Sequence, residues 1–380
     1  MAITISDLAR HVGLSISTVS KALNDYPDVA EETRQTVLEA SRDLNYQPRS
    51  AARMLRLQKT EKLGIVHPLK SYESEAFIAL FRGVARGAER HGYSLILYTA
   101  TQDDELDTSD RLARICQARE VDGIVVMSLG IDGAKELQAS LDILAAETLP
   151  YVVLGQPVLG KSGIEESGLE QGAQAHLNLP QPPSCEQLAP VAYVAADNIA
   201  GARALTEHLL AQGHKRFAYL SRSDDVYNNL ERLTGIQQAL AAASLTLDMI
   251  FDAPYAAYTG RAAMQQVLAS SVLPTAVIAF NDHIAIDAMY VAQAGGLRVP
   301  DDIAIAGFDD IPSASIVTPA LTTTHIPMVT MGEYAAELLL EQLTATAPLP
   351  PARLQKIFTT DLVVRTSTQI DADGRFNLTK

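Results

Sequence analysis

The chain has 380 residues, more than one hydrophobic core usually serves, so two or three domains are expected. Its apolar share is 47%, yet no apolar run approaches the ~18 residues of a membrane-spanning helix, and two cysteines are too few for a disulfide framework. The net charge of −15 argues against nucleic acid as a partner, but it is unevenly spread: residues 1–60 carry eight Lys/Arg against seven Asp/Glu, the remainder 22 against 38. An acidic body repelled by phosphates, with a basic run from Arg49 to Lys59, suits a protein that meets DNA at one end only.

Thr4-Ile5-Ser6-Asp7 has the spacing of a capping box and predicts a first helix with Leu8 and Val12 on its apolar face. Ala9, Gly13 and Val19 follow at the spacing of a helix-turn-helix. The small residue allows a close crossing, the glycine makes a turn that needs positive φ, and the valine packs back from the second helix. Ser15 can cap that second helix, from Ile16 to about Asn24. Such a pair exists to place one helix in a DNA major groove. A third helix, about Glu31 to Leu44, shows Val37, Leu38 and Ala40 at helical spacing and ends before Tyr46-Gln47-Pro48. Arg49 to Leu57 reads as a further helical stretch, too short to be stable alone in water.

From Lys62 onward, strand-like runs alternate with helix-period segments. The runs are LGIV (63–66), YSLILY (93–98), GIVVM (123–127) and YVVL (151–154), then VAYVAA (191–196), FAYL (217–220), AVIAF (276–280) and IAIAGF (303–308). Buried runs separated by amphipathic helices predict parallel sheets with right-handed crossovers, here two doubly wound α/β lobes with a cleft between them. Ligands in such sheets sit beyond the carboxyl ends of the strands. Residues 156–190, rich in Gly, Pro, Ser, Glu and Gln without periodicity, read as a surface insertion, and 371–380 as a tail. Cys116, in the helix-like LARICQARE, reads as core.

Several of these blocks, in order, resemble the LacI family of bacterial repressors: TISDLARHVGLSISTVSKALN, LNYQPRSAARMLR, DNIAGARALTEHLLAQGHKRFAYL, LERLTGIQQAL, PTAVIAFNDHIAIDAM, and LRVPDDIAIAGFDDI followed by LTTTHIPMVTMG. The resemblance spans about Ile3 to Thr366. It implies a helix-turn-helix domain over 1–47 and a hinge helix with linker over 48–61. A first lobe of periplasmic-binding-protein type would take 62–192 and 325–352, and a second lobe 193–324 and 353–370.

The same resemblance places Ile16, Ser17, Lys21 and Asn24 against the operator, with Thr4, Ser15, Thr18 and Ser20 in phosphate-contact or capping roles. For Ile16, contact with a thymine methyl competes with packing in the core. In the hinge, Leu55 would wedge into the minor groove, flanked by Ala51, Ala52, Arg53 and Arg56. In the cleft, Arg232, Asn281, Asp282 and Asp309 form a polar set suited to hydroxyls, and Phe77, Tyr255 and Phe308 could wall a sugar ring. Asp282 and Asp310 also read as helix-cap and turn residues, and Phe77 also reads as core. Gly155 and Gln156 stand where some sugar-responsive relatives place a hydrogen-bonding side chain, so the cleft rim differs.

The implied function is a repressor whose hold on a near-palindromic double-stranded operator is relieved by a sugar or oligosaccharide. The alternatives are a regulator corepressed by a purine or another metabolite, and a sugar-binding protein without a regulatory role. A homodimer matches the two half-sites, and the tail shows no leucine heptad for further assembly. No phosphate-binding loop or nucleophile-elbow motif is present, and His67, His208, His214, His283 and His325 lack metal-ligand spacing. Neither enzymatic activity, cofactor nor metal is expected. With no secretory signal and no membrane segment visible, a cytoplasmic location is expected.

Overall fold

The computed structural model describes residues 3–23, 26–44, 46, 59–67, 75–99, 108–127, 134–155, 191–222, 226–247, 249–253 and 259–369. The chain divides into two compact units, Met1–Glu61 and Lys62–Lys380.

The first unit contains α1 (Ile5–Val12), α2 (Ile16–Leu23) and α3 (Glu31–Asp43). Thr4 caps α1 as the spacing predicts: its hydroxyl accepts from Asp7 N at 3.3 Å and the Asp7 carboxylate accepts from Thr4 N at 3.0 Å. Gly13 ends the helix at φ 66°, and its N–H bonds back to Ala9 O. Leu8, Val19 and Val37, one from each helix, are fully buried together with Ala9, Ala22 and Ala40. Each of the three large side chains contributes about 1.5–3 kcal/mol relative to exposure.

The second unit is built on two six-stranded sheets. β1 (Lys62–His67), β2 (Ser94–Thr99), β3 (Gly123–Met127), β4 (Tyr151–Leu154), β5 (Tyr193–Ala196) and β11 (Gln355–Phe358) form the first, in the order β11-β5-β4-β3-β1-β2 and parallel throughout. β6 (Phe217–Ser221), β7 (Met249–Asp252), β8 (Ala276–Ala279), β9 (Ala304–Asp309), β10 (Thr322–His325) and β12 (Asp361–Val363) form the second. Its order is β12-β10-β9-β8-β6-β7, with β12 alone antiparallel. Helices α4 (Glu75–Arg90), α5 (Thr108–Ala118), α6 (Ala134–Ala146), α7 (Asn198–Ala211), α8 (Val226–Ala242), α9 (Thr259–Leu268), α10 (Asp282–Ala294) and α11 (Met328–Thr344) accompany the sheets, with a short turn α12 (Pro351–Leu354). The two doubly wound lobes expected from the alternating runs are present.

The lobe boundaries fall elsewhere than the expected 192/193, 324/325 and 352/353. β5 pairs with β4, so the chain leaves the first lobe after Ala196. His325 still pairs with Asp309 in the second sheet, and β11 pairs with β5 in the first. The last crossing therefore lies between Phe358 and Asp361. An apolar run shows that a strand is buried, not which sheet it joins. Residues 156–190 and 371–380 lie outside the described residues.

In the first lobe α4 and α11 cross at glycines. A Cβ on Gly83 would lie 2.1 Å from Val329 O, and one on Gly332 would lie 2.3 Å from Leu80 O. Arg90 closes the rim of this crossing, with ion pairs of 2.9 Å to Glu333 and 3.0 Å to Glu337.

Candidate DNA-binding face and effector cleft

The helix-turn-helix unit buries one side of α2 through Val19 and Ala22 and leaves the other open. Ile16 at the start of that helix is 50% exposed, and Ser17 is exposed beside it. Core packing of Ile16 is thus ruled out, because Leu8 and Val19 fill the interior. Ser15 caps α2, its hydroxyl accepting from Thr18 N at 3.0 Å and lying 2.8 Å from Thr18 Oγ1. The Lys21 ammonium is paired with the Asp28 carboxylate, which raises the lysine pKa and lowers that of the aspartate.

In the two-lobed unit the carboxyl ends of the second sheet carry a buried polar cluster. Arg232, on α8, is 4% exposed, and its guanidinium is held on three edges. Nε donates to Asn198 Oδ1 at 3.0 Å, Nη1 to the Phe280 carbonyl, and Nη2 to Asp309 Oδ1 at 3.2 Å. Its carbon centre lies 4.0 Å from the Phe308 ring centroid and 4.4 Å from that of Phe280. The strand β9 ends at Asp309 with φ 112°, and Asp310 follows it at φ 57°. Such conformations cost roughly 1–3 kcal/mol for non-glycine residues and persist where surroundings fix them. Asp310 is fixed in this way: it accepts from Arg365 Nη2 at 2.6 Å and lies 3.0 Å from His325 Nδ1.

Asn281 caps α10, its side-chain oxygen accepting from Ile284 N at 3.0 Å. Asp282 next to it is wholly buried and accepts from Ile311 N at 2.9 Å and Thr323 Oγ1 at 2.6 Å. Burial raises its pKa well above the usual carboxylate value, and the nearby Asp309 charge adds to the rise. Among the described residues no group of three His, Cys, Asp or Glu could hold a metal ion. No described helix is long and apolar enough to cross a membrane.

A model of the lacI family of bacterial regulatory proteins matches residues 4–49, and one of a periplasmic-binding-protein-like domain matches residues 206–368. The HTH-type transcriptional repressor PurR of Photobacterium profundum is 32% identical over 347 residues, 90% of this chain and 92% of its own length. The chain belongs to the LacI family. The HTH-type transcriptional regulator CelR of Thermobifida fusca is 30% identical over 369 residues, covering 96% of this chain and 98% of that protein. Among solved structures, a transcriptional regulator CelR–cellobiose complex is 27% identical, with a TM-score of 0.66 over 96% of this chain and 99% of that one. The lac repressor dimer bound to operator and the anti-inducer ONPF, 23% identical, shares the fold with a TM-score of 0.78 over 97% and 99%. This LacI-family chain is a DNA-binding transcriptional repressor.

Of the cleft residues anticipated in this LacI-family regulator, the structure brings together Arg232, Phe308 and Asp309, with Asn281 one residue beyond Phe280. Phe308 and two of the others, Asp282 and Phe77, are placed differently from their roles as ligand contacts. Asp282 is sealed by Ile311 and Thr323 and offers no surface to a ligand. Phe308 is buried with its ring against the Arg232 guanidinium, so it backs the arginine rather than walling a sugar. Phe77 is buried in the core of the first lobe, 6.0 Å from the Phe81 ring. Tyr255, the hinge residues Ala51, Ala52, Arg53, Leu55 and Arg56, and Asn24 lie outside the described residues. Sequence reading missed Phe280 and Asn198. Phe280 could have been found as the last residue of AVIAF, directly before Asn281. Asn198 gave no signal beyond its place after the capping Asp197.

Proposed function

We propose that this repressor binds its operator as a homodimer and releases it when a sugar or short oligosaccharide enters the cleft between the lobes. The observation that carries the sugar reading is the state of Arg232. Three of its five N–H groups are engaged with protein acceptors, which leaves one on each of Nη1 and Nη2 to donate to ligand hydroxyls. The Asn281 oxygen is occupied in its capping bond, which leaves the amide NH2 as a donor to a ligand oxygen. Similarity along nearly the whole chain to a CelR–cellobiose complex supports the same ligand class. Ile16, Ser17 and Lys21 read the operator, and Thr4, Ser15, Thr18 and Ser20 position the module on phosphates. Exposed apolar side chains, Ile78 and Leu97 on the first lobe and Tyr290 and Ile316 on the second, supply surface for a second copy. The chain acts in the cytoplasm, by binding and without turnover.

Binding of the sugar favours one arrangement of the lobes and thereby changes operator affinity. A coupling of ~1–3 kcal/mol corresponds to roughly a 5- to 150-fold change. The test is fluorescence anisotropy of a labelled operator half-site pair, titrated with full-length protein and then with cellobiose, other saccharides and purine bases. Release by a saccharide, lost in Arg232→Ala while operator binding persists, supports the reading. Tightening by a purine base, with no response to any saccharide, would overturn it.

A further inference from the structure

The Arg232 guanidinium is oriented by a residue that belongs to the crossover between the lobes. β5 ends at Ala196 in the first sheet, Asp197 caps α7, and Asn198 is the first residue of that helix, 3% exposed. Its side chain makes bonds on both ends. Oδ1 accepts from Arg232 Nε at 3.0 Å, and Nδ2 donates to Glu231 Oε2 at 2.8 Å and to Asn228 Oδ1 at 3.1 Å. Asn228, Glu231 and Arg232 stand at helical spacing on α8, all buried, and converge on this one amide.

We infer that Asn198 is the positioning residue for Arg232, held in one orientation by Glu231, and that it ties the ligand-binding guanidinium to the lobe crossover. The polarity of the bonds fixes the amide. A carboxylate accepts only, so the NH2 end faces Glu231 and the oxygen faces Arg232 Nε, a donor only. A flipped amide would put oxygen against carboxylate and NH2 against guanidinium. The same logic of an outer partner orienting a functional group operates where carboxylates orient metal-bound histidines. Asp197 N donates to Phe358 O at 2.9 Å, and Thr360 Oγ1 donates to Asp197 O at 3.2 Å, so two of the interlobe crossings meet beside Asn198. A change in lobe angle that shifts this crossing shifts the Arg232 anchor, and a ligand that fixes Arg232 resists that change.

The experiment compares the full-length wild type with Asn198→Ala and with the polarity swap Asn198→Asp/Glu231→Gln. In the swap the aspartate accepts from Arg232 Nε, the glutamine NH2 donates to the aspartate, and the Asn228 amide turns its NH2 to the same carboxylate, with the total charge unchanged. The first arm is free of ligand: solvent exchange of the Arg232 Nε–H, observed by NMR in 15N-arginine protein and assigned by its loss in Arg232→Lys. Exchange should quicken about tenfold or more in Asn198→Ala and return towards wild type in the swap, because a buried donor left without its acceptor is the costly case. Unchanged exchange in Asn198→Ala, or no recovery in a swap variant that melts like wild type, overturns the inference. Should Asn198→Ala fail to fold, Asn198→Ser takes its place with the same two criteria. The second arm rests on the sugar reading of the cleft and uses cellobiose calorimetry. Affinity should fall about 10- to 100-fold in Asn198→Ala and recover in the swap. A wild type that takes up no cellobiose defeats the choice of sugar, while the exchange arm still decides Asn198.

Discussion

Glu75, the first residue of α4 in the first lobe, accepts hydrogen bonds from the backbone N–H and the hydroxyl of Ser313 in the second lobe. The N–H bond is 3.4 Å long. Ser313 belongs to a 3-10 turn, Pro312–Ser315, that follows the strained Asp309–Asp310 corner by two residues. The contact therefore spans the cleft from the mouth of one sheet to the mouth of the other.

Removing the Ser313 hydroxyl should loosen that span. A bond to a charged acceptor contributes ~1.5–3 kcal/mol when well shielded, and less at this partly buried site. Ser313→Ala is expected to weaken sugar binding about two- to tenfold while leaving the melting temperature of the unliganded protein nearly unchanged. Calorimetric titration beside a thermal scan checks both halves. An equal or tighter sugar affinity would show that the clasp does not favour the binding conformation.

Asp282 sets a pH dependence whose sign follows from its burial. Its pKa in the folded chain is raised well above 3.8, so the folded state binds that proton more tightly than the unfolded chain does. Its contribution to stability is then fully present below the unfolded value and is lost as pH rises through the raised one. Asn in its place keeps an acceptor for Ile311 N and a donor towards Thr323 Oγ1, without the charge. Asp282→Asn should melt higher than wild type at about pH 8, by about 2–4 °C for each kcal/mol recovered, and should match it near about pH 4. Parallel melting curves of the two proteins across that range would refute the assignment.

These two sites also show what was legible beforehand and what was not. Ala9, Gly13 and Val19 could be read because each has one steric duty at a fixed spacing, and the buried strands of both sheets because a doubly covered parallel strand is an apolar run. β10 was not readable. Its residues Thr322, Thr323 and Thr324 are fully buried but polar, and each hydroxyl finds a partner far away in sequence: Thr368 and Arg365 O, Asp282, and Gly201 O. Arg232 in LERLTG and Asp309 at the end of the strand run IAIAGF stand out in the sequence as polar chemistry, but their contact across 77 positions does not show there. Asn198 does not stand out, because its role lies in a bond to a residue 34 positions on. Phe308 and Phe77 offer flat faces in the sequence, and a face taken up by a guanidinium or by core cannot be told there from a free one.

The crossing of α4 and α11 gives a stability prediction independent of any ligand. The Cβ added by Gly83→Ala would lie 2.1 Å from Val329 O and 2.9 Å from the Val329 carbonyl carbon, both backbone atoms that cannot rotate away. The helices must separate, and overpacking of this kind costs about 1–3 kcal/mol or more. Urea denaturation of Gly83→Ala should show a lower midpoint with an unchanged slope. A variant as stable as wild type would mean the helices can slide apart freely.

Lys21 leads to the last prediction, on DNA. In the free helix-turn-helix its ammonium is engaged by Asp28, and both side chains are about half exposed. To donate to a guanine edge Lys21 must leave that partner, and the Asp28 carboxylate then remains near the phosphates, where its charge is unfavourable. Asp28→Asn removes both obstacles at an exposed position, with little effect on folding. Operator affinity should rise about two- to fivefold, and affinity for random duplex should rise with it, because part of the gain is unspecific electrostatics. The gain should shrink as salt is raised from about 50 to about 200 mM, where screening weakens the carboxylate's repulsion. Ile16→Ala should behave oppositely: operator affinity falls, random-duplex affinity and its salt slope stay the same, since a half-exposed apolar side chain reads bases and not phosphates. Anisotropy titrations of both variants on both duplexes, at matched salt, separate the two effects. If Asp28→Asn weakened operator binding, the pair with Asp28 would instead be holding Lys21 in its reading position.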